Sequence, residues 1–537
     1  MPFRARGIAV LLCLLTPFLL YAQMPQDFSS FHKLPRSIAK DYYIYRYLNE
    51  RNVTGDEAQK LLEQTKRVNF KLFYSIAKKI KDKGFEKVSK CLKLKTDLLL
   101  KTDDECIAIG LSISDALTLD KNTTKNLSKR LKKYKDINET MVILSSGNIL
   151  QEALKKSKKF IEIFNKAGPK NRKKLFNKKI SKEEINRLAN FKEFNRSIEI
   201  IVTQRELKNL QKSLLHVEAN QNLTQKSLFF LGLNALEQNR KILALNFLDK
   251  AYKKAYYRFD KDKIIFWKYL LTKDEKYTQE LNSSFDVNIY TIYAHEKYST
   301  KFTNIISPDI NSTDKNYDIQ NPFLWTTLLQ EIKDQNKTTL EKTAKSFRHK
   351  NTIGQYAFLL EKAKGYKTHY FPMPFFSYLS TYTNKRKSLI LAIARQESRF
   401  IPASVSTSYA LGMMQFMPFL AIATAKNQKI KNFDTDEMFD PKIAYKFANL
   451  HLNYLVKKLH HPLLVAYAYN GGIGYTKRLL KSGNFFTKSQ YEPFFSMETI
   501  SYPETRKYGK KVLANYIIYM QLLGEKVSLD KLITNLK

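Results

Sequence analysis

Residues 227–251 read Ser227-LFFLGLNALEQNRKILALNFLDK-Ala251. Leu228, Leu231, Gly232 and Ala235 recur at the three- and four-residue spacing that gathers side chains on one face of a helix. After a polar break at Gln238–Lys241, Ala244, Phe247, Leu248 and Ala251 repeat the pattern. Small residues among these apolar positions let two helices approach closely, so the stretch predicts a packed helix pair.

Outward from this pair the same texture extends from about Gln23 to about Thr300. Thr54 with Glu57, and Ser181 with Glu184, form capping boxes that open apolar-periodic runs. Gly (16) and Pro (15) are scarce in 537 residues, and few breakers in a long chain favour helices. The predicted fold class is all-α. Pairs like 227–251 resemble tetratricopeptide-type units without their consensus, so residues 23–300 are expected to form a helical superhelix, or solenoid. The chain exceeds what one hydrophobic core supports, and two or three domains are expected.

Residues 301–370 are less regular, with Asn321-Pro322, Phe323 and Trp325, and predict a small helical linker domain. Phe371-Pro372-Met373-Pro374 ends it, because two prolines block helix continuation. From 371 to 537 glycines and short polar loops become frequent, the texture of function carried on a scaffold.

At the N-terminus, Arg4 and Arg6 precede an apolar run from Gly7 to Leu20, then Tyr21, Ala22 and Gln23. That is the pattern of a secretory signal over residues 1–22, cut after Ala22. An uncleaved anchor is the other reading, although the run is short for a membrane span. No other stretch reads as a span, so no stable membrane insertion is expected after cleavage. Cys91 and Cys106 remain, and either a bridge closing a short helical hairpin or two buried thiols fits their spacing. Eight scattered His make no metal-ligand pattern, and neither a metal nor an organic cofactor is expected.

The net charge is +42, of which +13 lies in residues 371–537, so both parts are equally basic per residue. Nucleic-acid binding favours a focused basic stripe or a recognisable reader fold, and neither is present. A Lys-rich coding bias and attraction to an anionic polymer such as cell wall both account for the charge.

In Ser388-LILAIARQE-Ser398, Ile390, Ile393 and Ala394 form an apolar face that Glu397 extends. A carboxyl group on a buried face has its pKa raised, as a general acid at neutral pH requires. Taken alone, a Glu bonded to Arg395 or Arg399 explains the position as well. Downstream stand Ser406, Gly412-Met-Met-Gln415, Met417-Pro418, Ala466-Tyr-Ala-Tyr-Asn470-Gly-Gly472 and Glu504-Thr-Arg506-Lys-Tyr508.

In order and spacing these motifs resemble the soluble lytic murein transglycosylases. In that family a goose-type lysozyme-like catalytic domain follows an exported, U-shaped helical domain and a linker. The resemblance is strongest over about 370–537 and implies a lysozyme-like domain at 371–537. It makes Glu397 the catalytic acid and base, and Ser406, Gln415, Met417, Tyr469, Asn470 and Glu504 substrate-binding positions. Met413, Met414 and Met417 equally suit a core, and Tyr467 and Tyr508 equally suit packing. Gly412 would let backbone approach sugar. Ile401 stands where the family commonly has Asn, Tyr409 where it has Gly, and Met413 where it has Leu; the first two are expected to reshape the loop after the catalytic helix.

The implied activity is exo-type, non-hydrolytic cleavage of the bond between N-acetylmuramic acid and N-acetylglucosamine in peptidoglycan. The product carries a 1,6-anhydro end, formed in the periplasm by a monomer. Glu397 is the only acidic residue in 395–418, which suits this route better than a two-carboxylate one. A hydrolytic muramidase and a non-enzymatic wall-binding scaffold are the alternatives. The array is either a platform for glycan strands or a docking surface for other cell-wall enzymes.

Overall fold

The computed structural model describes residue 25 and residues 27–536, so the expected signal at 1–22 lies outside the described residues. The fold is all-α, as the periodicity predicts. Its first long helix is α1 (Ile38–Glu50), capped by the Ser37 side chain. Both expected capping boxes form, on the helices Gly55–Glu63 and Lys182–Ala189. The array continues through α2 (Phe194–Thr203) into the pair read first, α3 (Gln225–Glu237) and α4 (Lys241–Lys254). A methyl group added at Gly232 would lie 3.1 Å from Leu248 Cγ and 3.4 Å from the Ala244 carbonyl. The glycine is there because the helices touch. The last array helix is α5 (Ile289–Lys297).

The only strands among the described residues are β1 (Ile305–Ile306) and β2 (His369–Tyr370), paired in parallel. Between them lies a small helical unit with its own apolar cluster of Leu328, Ile332, Leu340, Ala344, Leu359 and Ala363. Its last helix, α6 (Ile353–Ala363), supplies Leu359 and Ala363 to that cluster and buries Ile353 and Ala357 as well.

Three helices organise the C-terminal segment: α7 (Asn384–Ser398), α8 (Pro462–Gly471) and α9 (Pro503–Leu522). Helices α8 and α9 touch at Gly509, where an added Cβ would lie 2.1 Å from the Tyr467 ring. Tyr467 is therefore a packing residue.

The array meets this segment at two separated places. Near its start, Arg46 on α1 binds Asp434 (2.8 Å) and Asp436 (2.9 Å), and Lys71 donates to the Ser408 carbonyl. Near its end, Glu199 on α2 pairs with Arg506, and Tyr290 on α5 joins Glu498 and Lys510. One apolar core accordingly joins the array, from Phe31, to the C-terminal segment, as far as Leu536. No helix among the described residues is long and apolar enough to cross a membrane.

Cys91 and Cys106 are bridged, with Cα atoms 5.2 Å apart. The bond ties the helices Lys83–Lys93 and Asp104–Gly110. Closing a loop of this length restricts the unfolded chain by about 3 kcal/mol. Replacing both cysteines by serine should lower the melting temperature, and reductant should lower that of the wild type but not of the variant. Thermal melts with and without reductant check this.

Candidate active site

Helix α7 is buried from Ser388 to Ala394, and Glu397 follows one turn later at the edge of the core. Neither nearby arginine binds it. Residues two apart on a helix point to different faces, and both guanidiniums turn to Glu361 on α6 (Arg395 at 2.9 Å). Glu361 also accepts the Tyr370 N–H at 2.9 Å. The partner of Glu397 is instead Tyr508 on α9, whose hydroxyl donates to Glu397 Oε1 at 2.7 Å.

The Glu397 carboxyl is pushed up to about 7, chiefly by burial. The Tyr508 hydrogen bond opposes the shift and the negative charge of Glu504 adds to it. A half-buried carboxyl bonded to a neutral phenol, with no cation on it among the described residues, exists in both protonation states near neutrality.

The loop after α7 is built from unusual backbone. Arg399 (φ 56°) and Phe400 (φ 65°) end the helix in left-handed geometry. Ser398 Oγ donates to the Met413 carbonyl (2.9 Å) and accepts from the Ile401 N–H (3.1 Å), tying helix to loop. Tyr409 has φ 67°, a conformation that suits glycine better than a residue with a side chain. Its ring packs on Tyr42 and Tyr45 of α1, at 5.7 and 5.5 Å between centroids. That contact offsets the strain and pins the loop to the array. Ile401 is buried.

The expected site residues divide into two groups. Tyr469 donates to the Met414 carbonyl at 2.9 Å and lies within electrostatic reach of Glu397. Asn470 donates to Glu504 Oε1 at 3.0 Å and accepts from Thr505 Oγ1 at 2.7 Å, and Glu504 acts on Glu397 through its charge. These three are brought together with Glu397 and Tyr508.

Ser406 and Gln415 are engaged within the loop. Ser406 Oγ accepts from the Ala410 N–H (2.9 Å), and Gln415 Nε2 donates to the Ser404 (3.2 Å) and Gly412 (2.9 Å) carbonyls. Met417 is half-buried at the start of the helix Pro418–Asn427, while Met413 and Met414 are core. Gly412 packs against backbone within the protein. It has φ 75°, and an added Cβ would lie 2.0 Å from the Met438 carbonyl, so its partner is backbone.

In the sequence Tyr508 belongs to the Glu504–Tyr508 motif but suits packing equally, and nothing singles out Glu361. For Tyr508 a signal existed: it lies one turn beyond Glu504 on the same helix face. For Glu361 there was none.

The family model described as the transglycosylase SLT domain matches residues 374–491, a stretch that holds Glu397 and ends before Tyr508. More particularly, the chain is similar to the soluble lytic murein transglycosylases. It is 30% identical over 164 residues to the "Soluble lytic murein transglycosylase" of Escherichia coli K12, and equally to that of Salmonella typhimurium LT2. Each match takes in 30% of this chain and 25% of the relative, so only about a quarter of these curated relatives is covered. The solved complex of the 70-kDa soluble lytic transglycosylase with bulgecin A superposes with a TM-score of 0.50 at 16% identity, over 94% of this chain and 90% of that one. At that identity the likeness speaks for the fold.

A carboxyl group whose folded pKa is raised destabilises the native state once the unfolded chain ionises. Glu397→Gln should therefore stabilise the protein at pH 8 by on the order of 1–3 kcal/mol and leave stability at pH 4 unchanged. Melting curves at the two pH values check this.

Proposed function

We propose that the protein is an exo-acting lytic transglycosylase of the periplasm. It would cleave the β-1,4 bond between N-acetylmuramic acid and N-acetylglucosamine without water, leaving 1,6-anhydro ends. The observation that carries this reading is the Glu397 carboxyl: half-buried, without a cation partner among the described residues, hydrogen-bonded to Tyr508 and poised near neutrality. Its place inside a matched transglycosylase SLT domain supports the reaction type.

Protonated Glu397 gives its proton to the glycosidic oxygen as the bond to C1 of the muramic residue breaks. The neighbouring acetamido group steadies the positive charge at C1, and the Tyr508 hydroxyl steadies the new carboxylate. Glu397 then takes the proton of the sugar's own 6-hydroxyl while O6 bonds to C1, and the acid is regenerated. Intramolecular attack benefits from proximity. Tyr469, Asn470 and Glu504 line this site in the proposal, with Ser406, Gln415 and Met417 along its loop.

The proposed division is a superhelix at 23–300, a linker at 301–370 and a catalytic domain at 371–537, working as a monomer on glycan strands. The array touches the catalytic segment near both its start and its end, an enclosure that favours a strand entering by its end. Hydrolysis is the second reading, favoured by one observation: Glu504 is a second carboxylate within electrostatic reach of Glu397.

Mass spectrometry of digested peptidoglycan separates the two. Anhydro ends, one water lighter than hydrolysed ones, are expected from the wild type, and finding hydrated ends alone would sink the first reading. Glu397→Gln should release neither.

Because the acid must begin protonated, the rate should fall as pH rises above about 7. The Tyr508 bond favours the ionised form, so Tyr508→Phe should raise the Glu397 pKa. The alkaline limb then moves to higher pH and kcat drops by about tenfold or more. Initial rates across pH 5–9 on purified glycan strands check this.

A further inference from the structure

His451 stands at the site with no part in the chemistry above. It lies half-buried on the helix Pro441–Leu459. Its ring is in edge-to-face contact with Tyr469 of α8, centroids 5.6 Å apart, and with Phe416, 6.0 Å apart. Phe416 sits between Gln415 and Met417, and Tyr469 bonds the Met414 carbonyl within electrostatic reach of Glu397. The imidazole thus belongs to the wall that α8 shares with the 412–417 loop. We propose that His451 is a substrate-contacting residue, whose imidazole hydrogen-bonds a hydroxyl or acetamido group of a sugar unit lying along that loop. Naming the sugar rests on the peptidoglycan reading above.

The first support is unused bonding capacity. Five of the described histidines are buried or half-buried. Four of them are hydrogen-bonded: His295 to Thr300, His349 to Ser312, His369 to the Phe285 carbonyl and His461 to the Leu532 carbonyl. His451 alone of the five has no hydrogen-bond or ion-pair partner among the described residues, and neither of its ring nitrogens is sealed in the interior. Polar groups withdrawn from bulk water ordinarily keep a partner. The neighbouring polar groups cannot serve, since the Tyr469 hydroxyl is spent on Met414 and the Gln415 amide on Ser404 and Gly412.

The second support is chemical fit. Burial holds the His451 ring below the usual histidine range, so it is neutral at neutral pH. A neutral imidazole offers one N–H donor and one bare nitrogen acceptor, the complement of an uncharged hydroxyl or amide. Tyr454, three residues on and so on the same helix face, is 49% exposed and offers a flat ring with a polar tip beside it. With Glu504 and Tyr508 on α9 and Tyr469 on α8, His451 carries the polar lining of the site onto a further helix.

The test uses the full chain carrying Glu397→Gln and, as probe, a peptide-free tetrasaccharide of alternating N-acetylglucosamine and N-acetylmuramic acid, read by calorimetry. His451→Phe keeps the ring packing and removes the hydrogen bonds, and should weaken binding by about three- to tenfold at an unchanged melting temperature. His451→Gln keeps a donor and an acceptor and should restore most of the affinity. In the otherwise wild-type enzyme, His451→Phe should raise KM by a similar factor and leave kcat nearly unchanged. Should His451→Phe not fold, His451→Met fills the space without a strong hydrogen bond and is read in its place. Equal affinity in the parent and His451→Phe overturns the assignment alone. Equal losses in His451→Phe and His451→Gln overturn it in favour of packing. A parent that binds no glycan overturns it together with the peptidoglycan reading.

Discussion

Two buried charge pairs set the rotation of helix α9, and the candidate site depends on that rotation. Arg506 is held by Glu199 of the array, and Lys510 by Glu498 at 2.6 Å and the Tyr290 hydroxyl at 3.1 Å. Four residues apart, the two cations share one face of the helix. Tyr508 lies between them in sequence and so points away, toward Glu397. Removing one partner of such a pair leaves a buried charge alone, at about 3–5 kcal/mol. The array is thereby more than a support. Through Glu199 and Tyr290 it determines which side of α9 faces the carboxyl group.

The opposite wall of the site is held in the same indirect way. Glu361, from the linker unit, gathers Arg395 and Arg399 on either side of Glu397 in sequence. Gly354 on the same helix sits where an added Cβ would lie 2.8 Å from the Phe400 carbonyl. Two consecutive left-handed residues follow α7 at this point, and such geometry persists only where surroundings over-determine it. The linker supplies those surroundings from one side, and α1, through Tyr409, secures the loop from another. All three parts of the chain thus hold one carboxyl group in place.

Much of this was legible along the chain because the governing rules are local. The pair 227–251 followed from helical period, the caps at Thr54 and Ser181 from side chains that bond three residues on, and the burial of Glu397 from the apolar face it extends. What escaped reading joins residues distant in sequence. Tyr508 meets Glu397 across 111 positions, and periodicity is silent about which neighbour a helix face will meet. Glu361 sits in an ordinary-looking helix, and its role exists only once α6 and α7 are packed. Gly412 announces a close approach without naming the partner, and packing sets its Cα against the Met438 carbonyl. The state of Cys91 and Cys106 was open for the same reason, since spacing alone does not define the distance between two Cα atoms.

The short parallel pair of β1 and β2 has a consequence for how such a chain can vary. Ile305 faces His369 and Ile306 faces Tyr370, so the path into the linker unit and the path out run side by side. Whatever lies between them hangs from a fixed doorway. Lengthening the intervening chain adds closure entropy only slowly and does not move the flanking helices apart. That unit is therefore where insertions and deletions are best absorbed, provided the replacement still presents a carboxylate to Arg395 and Arg399 and a residue without a side chain to Phe400.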